Sequence, residues 1–129
     1  MNNATRYSAA SVTRPSLPNV PGVYTWYRDG EPVYAGKATS LKTRIWTHLA
    51  TTPDLSRSAF RRDVCDHLGV ANTSITKQRP TRLIEADVEP VNKWIRECEV
   101  GWLELESPSE AESFEDRLLA EWKPPLNRR

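Results

Sequence analysis

An α+β fold, with a small three-stranded antiparallel sheet flanked by helices, is predicted by three features of this 129-residue chain. Two β-branched and aromatic runs, Val23 to Tyr27 and Val33-Tyr34, flank Asp29-Gly30, a hairpin turn signal. Helical spacing follows: Leu41, Ile45 and Leu49 behind Thr39-Ser40 as N-cap, then Phe60, Val64 and Leu68 closed by Gly69. The third strand is the alternating run Val100 to Leu105.

Taken in order, residues 1–19 read as a flexible arm, because Pro15 and Pro18 break any regular element. Residues 20–129 form one domain. Pro53 ends the first helix, and the polar, basic residues 70–82 read as loop. Pro90 suits the first position of a short helix around Val91, Trp94 and Ile95. Ser107-Pro108-Ser109-Glu110 resembles a capping box with proline at N1. The helix behind it carries Phe114, Leu118, Leu119 and Trp122, and Pro124-Pro125 stops it.

At 38% apolar the chain supports one core. No stretch approaches the roughly 20 apolar residues of a membrane span, and the first twenty lack a signal peptide's apolar run. Cys65 and Cys98 lack zinc-type spacing and read as buried, reduced thiols. The expectation is a soluble cytoplasmic protein; membrane, collagenous, disulfide-rich and zinc-ribbon classes are excluded.

The formal charge of +1 hides an asymmetry. Residues 37–82 hold nine bases and three acids, net +6; residues 83–121 hold three bases and twelve acids, net −9. Clustered Lys and Arg can track a phosphate backbone, or serve as solvated helix faces. The acidic block makes any nucleic-acid contact one-sided and offers a surface for a protein partner.

Gly22-Val23-Tyr24, ahead of Tyr34-Ala35-Gly36, resembles the signature of the GIY-YIG nuclease family. Lys37 to Arg44 (KATSLKTR) resembles the stretch after the second motif in UvrC-type members. His48 falls one turn after Arg44, where members often carry His or Tyr. Glu115 with Leu118-Leu119, then Pro124-Pro125-Leu126-Asn127, resembles the family's terminal Glu helix and its ending. Arg44 and Glu115 lie 71 positions apart, which implies a longer insertion at about residues 50–99.

The resemblance implies a metal-dependent DNA endonuclease. Its site needs a base for water, positive charge for the developing phosphorane and a cation on the leaving side. Tyr24 and Tyr34 match the motif tyrosines. A free phenol titrates near pH 10, so His48, ordinarily near 6.5, suits general-base work better. The expectation is His48 as base, relayed or oriented by Tyr34, with Tyr24 positioning water or phosphate. Residues opposite each other in a hairpin share a face. A plain two-residue Asp29-Gly30 loop would pair Thr25 with Tyr34 and point the tyrosines apart. Shared function therefore predicts an odd-numbered loop or a bulge.

Arg44 and His48, at i and i+4, are expected together at a cleft edge, with the guanidinium on phosphate. Lys37, ahead of the helix N-terminus, is a further phosphate ligand. Glu115 is the expected metal ligand, since one carboxylate plus waters suits Mg²⁺ or Mn²⁺; Glu112 and Glu121 match the ending less well. Asn127 binds phosphate or braces the Tyr24 region through backbone hydrogen bonds. The insertion adds Arg57, Arg61, Arg62, Lys77, Arg79 and Arg82, with Arg57 and Arg61 expected as i,i+4 substrate contacts on the second helix. The alternative is a catalytically inactive nucleic-acid-binding module of the same fold. A protein-interaction domain using residues 83–121 is the other rival.

Overall fold

The hairpin supplies one edge strand and one inner strand of a four-stranded sheet in the computed structural model, which describes residues 5–121 and 123–127. In chain order the strands are β1 (Arg6–Ser8), β2 (Gly22–Arg28), β3 (Glu31–Ala38) and β4 (Glu99–Glu104). They lie in the order β1-β4-β2-β3, every pair antiparallel. The fourth strand, β1, falls in the segment read as a flexible arm, and Ala9 and Leu17 behind it are buried. Three residues are too few to show a period of two. β1 is ordered by the unpaired backbone groups that β4 would otherwise leave open.

The Asp29-Gly30 turn has two residues, both at positive φ, as its residue types favour. The register nevertheless shifts between Trp26 and Tyr27, so Trp26 pairs with Tyr34 and Tyr24 with Gly36. The expected bulge is present, and it brings both tyrosines to one face.

The helices are α1 (Leu41–His48), α2 (Ala59–His67), α3 (Thr73–Thr76), α4 (Glu85–Arg96) and α5 (Pro108–Glu121). Ser40 caps α1 through the Thr43 N–H, and Gly69, at φ +73°, follows the end of α2. The short α3 interrupts the segment expected to be loop, with Asn72 accepting the Ile75 N–H. Pro90 does not start a helix; it sits inside α4, which begins at Glu85. Asp87 Oδ2 accepts the Ile84 N–H at 3.0 Å, and Val88, Val91 and Ile95 bury one stripe, which together offset the bond that proline cannot make. At α5, Ser107 Oγ accepts the Glu110 N–H, while the Glu110 carboxylate reaches the Glu106 N–H. Trp122, placed on this helix by its spacing, lies outside the described residues.

Trp26, Leu41, Ile45, Phe60, Val64, Val91 and Val100 form the core on one face of the sheet, with Trp26 stacked on Phe60 at 4.7 Å. Val23, Thr25 and Ala35, on the opposite face, are buried as well. Lys37 shares that face and pairs with Glu112, so α5 covers it. Cys65 and Cys98 are buried free thiols. Among the described residues no helix is long and apolar enough to cross a membrane.

Candidate active site

The strand pairing places the Tyr24 ring across Gly36: a Cβ there would run into the Tyr24 hydroxyl and lie 2.7 Å from its Cζ. At Gly22 a Cβ would meet the Leu103 carbonyl oxygen of β4 and the Leu41 side chain. Both motif glycines therefore answer close approaches that a side chain would block.

His48 does not face solvent. It is 1% exposed, and its Nε2 lies 2.7 Å from the Tyr24 hydroxyl. Its Nδ1 lies 2.6 Å from Ser58 Oγ, which also accepts the Arg61 N–H in the first turn of α2. The expectation of a base at the cleft edge, oriented by Tyr34, is thus corrected: the hydrogen-bonding phenol is Tyr24, and Tyr34 meets the imidazole only as a ring edge at 6.0 Å. The buried stripe of α1 is Leu41, Ile45 and His48, at i, i+4 and i+7, while Leu49 is a half-buried C-cap. Either position continues a helical stripe. Arg44, one turn earlier, is exposed.

Burial pushes the His48 pKa down to about 3, and Arg44, Arg62 and Arg61 push it the same way, so the imidazole is neutral at pH 7. Burial holds Tyr24 well above the usual phenol value, with Tyr34 and Glu115 adding and Arg44 opposing. Tyr34 is raised to about 12 by burial, then by Asp63 and Glu115, against Arg62 and Arg44. These charges bring Arg44 and Glu115 into one electrostatic neighbourhood with both phenols.

A cleft of about 300 Å³ opens at the β3 edge, lined by Tyr34, Arg62, Asp63, Lys77, Glu115 and Asn127 among others. Glu115, 5% exposed, is with Ala111 the deepest residue of α5 and lies within its buried stripe, not beside it. Glu112 and Glu121 are exposed. Asn127 clamps the strand edge: its Oδ1 accepts the Ala35 N–H at 2.8 Å and its Nδ2 donates to the Ala35 carbonyl at 2.7 Å. Bracing was expected near Tyr24; the bonds run instead to Ala35 of β3, next to Tyr34.

One expected phosphate ligand, Lys37, and two expected substrate contacts, Arg57 and Arg61, sit elsewhere. Lys37 belongs to β3, not to a helix entrance, and its Nζ lies 3.5 Å from Glu112. Arg57 precedes the cap Ser58, so it is not on α2 and forms no helical pair with Arg61. Arg61 is 1% exposed and donates to the carbonyls of Thr52 and Asp54 and to Asn92 Oδ1. A guanidinium whose two Nη groups are spent on the protein's own oxygens holds a loop together, although the buried Nε of Arg61 finds no partner. Ser58, Arg62 and Asp63 were not singled out as site residues. A cap reading would have found Ser58, but its bond to His48 joins two helices and leaves no local signal.

The fold and site define a class: an α+β domain in which one hairpin tyrosine and a late carboxylate line an edge cleft, with the second hairpin tyrosine buried behind it and a helix arginine close enough to act on both phenols. Residues 15–129 match the GIY-YIG catalytic domain, and the chain belongs to that family. No curated protein matches it. It resembles the GIY-YIG N-terminal endonuclease domain of UvrC from Thermotoga maritima bound to magnesium, its catalytic divalent cation, at 19% identity and TM-score 0.51, over 89% of this chain and 91% of that one. A tyrosine-to-phenylalanine variant of that domain, also bound to its catalytic divalent cation, gives 21% identity and TM-score 0.52, over 90% and 91%. At these identities the likeness establishes the shared fold.

Proposed function

We propose that this chain is a divalent-metal-dependent DNA endonuclease that hydrolyses phosphodiester bonds, with Glu115 as the metal ligand. The observation that carries the reading is the cleft in which Glu115 meets Tyr34, backed by the Tyr24–His48 pair. The donor set fits a hard cation. Glu115 offers carboxylate oxygens from a rigid helix to a cleft with room for a hydrated ion. Among the described residues no three His, Cys, Asp or Glu gather, and a carboxylate completed by waters and phosphate oxygens suits Mg²⁺ or Mn²⁺. When bound, such an ion supplies positive charge for the phosphorane and the leaving oxygen.

The protein's own groups do the rest. Arg44 holds the scissile phosphate, and Tyr34, the phenol lining the cleft, positions the attacking water. The water proton passes to the Tyr24 oxygen as the Tyr24 proton passes to His48 Nε2, with the Nδ1 hydrogen held by Ser58. Burial, with the fields of Arg44, Arg62 and Arg61, opposes a charged imidazole. A docked phosphate offsets that field and raises the proton affinity of His48 as the substrate arrives. Asn127 keeps β3, and with it Tyr34, in place.

The test is plasmid DNA incubated with Mg²⁺ and either wild type or Glu115→Gln. Nicking by wild type alone, abolished by chelation, is expected. Equal nicking by both would reject the assigned metal ligand. Binding without nicking by either would favour the inactive binding module.

A further inference from the structure

We propose that Arg62 and Lys77 form a second phosphate seat in the cleft, so that the substrate is a polynucleotide strand gripped at two neighbouring phosphates. The inference rests on the nuclease reading and names a contact that reading leaves open.

Of the nine bases in residues 37–82, most are occupied or remote from the cleft. Arg61 is buried on carbonyls and Lys37 pairs with Glu112. Arg57, Arg79 and Arg82 are exposed and do not line the cleft. Among the described residues, Arg62 and Lys77 are the cations that line it. Arg62 is half-buried and anchored by one nitrogen: Nη1 donates to the carbonyls of Ser56, at 2.5 Å, and Leu55, at 3.4 Å. Anchoring one arm of a rigid fork fixes the direction of the others at little further cost in entropy.

The electrostatics separate this seat from the first. Arg44 weighs on Tyr24 and is the strongest charge on His48, whereas Arg62 outweighs Arg44 on Tyr34. The two guanidiniums come from successive helices, Arg44 from α1 and Arg62 from α2. A phosphodiester carries one negative charge, and the next along a strand is one nucleotide away.

The test uses labelled single-stranded DNA bound to the Glu115→Gln protein, with affinity followed against salt. Each phosphate contact contributes about 0.7 to the log–log salt slope for single strands. Lys77→Ala is expected to lower the slope by about that amount. Arg62→Lys, which keeps the charge but not the fork, weakens binding with little change in slope. Arg96→Ala, an exposed charge on α4, serves as control and leaves the slope unchanged. Thermal melts establish that each variant is folded. A Lys77→Ala slope equal to that of Arg96→Ala overturns the second seat. If wild type cuts DNA and the slopes agree, the seat alone fails. If nothing cuts but Lys77→Ala still lowers the slope, the seat stands and the nuclease reading fails.

Discussion

Lowering the pH from 7 to 5 should destabilise this protein through one residue. His48 titrates near pH 3 in the folded chain and near 6.5 when unfolded, so between those values the unfolded state binds the proton more tightly. The stability this group contributes is whole above pH 6.5 and is lost as the pH falls toward 3. At pH 5 the unfolded imidazole is favoured by 1.5 pH units, which is about 2 kcal/mol at 1.36 kcal/mol per unit. For a domain of this size that lowers the melting temperature by roughly 8 °C. Asp54, held down to about 2 by hydrogen bonds from Thr81 and Ser56, gives up its contribution only below about pH 4. The assay is urea or thermal unfolding at pH 7, 6 and 5 for wild type and His48→Gln. The variant should start lower at pH 7, because Tyr24 and Ser58 lose a shared partner, and then stay nearly flat. Parallel pH curves for the two proteins would refute the buried, neutral imidazole.

Three further outcomes follow from the same geometry. Gly36→Ala drives a methyl into the Tyr24 ring, so the 2.7 Å bond to His48 breaks; a loss of about 1–3 kcal/mol and of nicking is expected by melting and plasmid assay. Arg61→Ala should cost about 2–4 kcal/mol in urea unfolding without altering the salt slope for DNA, because its donors serve Thr52, Asp54 and Asn92. Asn127→Ala releases both backbone groups of Ala35; hydrogen exchange at the Ala35 amide should speed up markedly while that of Thr25, in the strand interior, changes little.

The parts of this fold that were legible rest on neighbours within about one helical turn or one hairpin. Ser40, Gly69 and the Ser107–Glu110 pair sit at helix ends because capping is a local hydrogen-bonding problem, and each did its expected work. The bulge was legible in a different way: the demand that two tyrosines share a face contradicts an even hairpin register, and the structure resolves the conflict with one extra residue in β3. Where the reading failed, a distant partner decided. β1 forms because β4 offers it an edge, and α4 runs past Pro90 because a buried stripe on both sides of the proline outweighs one lost bond. The insertion was expected to present Arg57 and Arg61 together. A cap at Ser58 moves the helix start past the first, and the oxygens of Thr52, Asp54 and Asn92 take in the second.

The order of residues by itself determined the α+β class, the hairpin with its two motif glycines and the helix limits near good caps. These depend on short-range sterics and periodicity, which a linear chain displays. Tertiary structure alone decided which way His48 points, since positions 48 and 49 both continue the stripe of α1 and only packing against Tyr24, Ser58 and Phe60 selects between them. It also decided which arginines face the cleft and which support it. Charge is visible in a sequence, but whether a guanidinium meets water, a substrate or a ring of the protein's own carbonyls depends on residues far away along the chain.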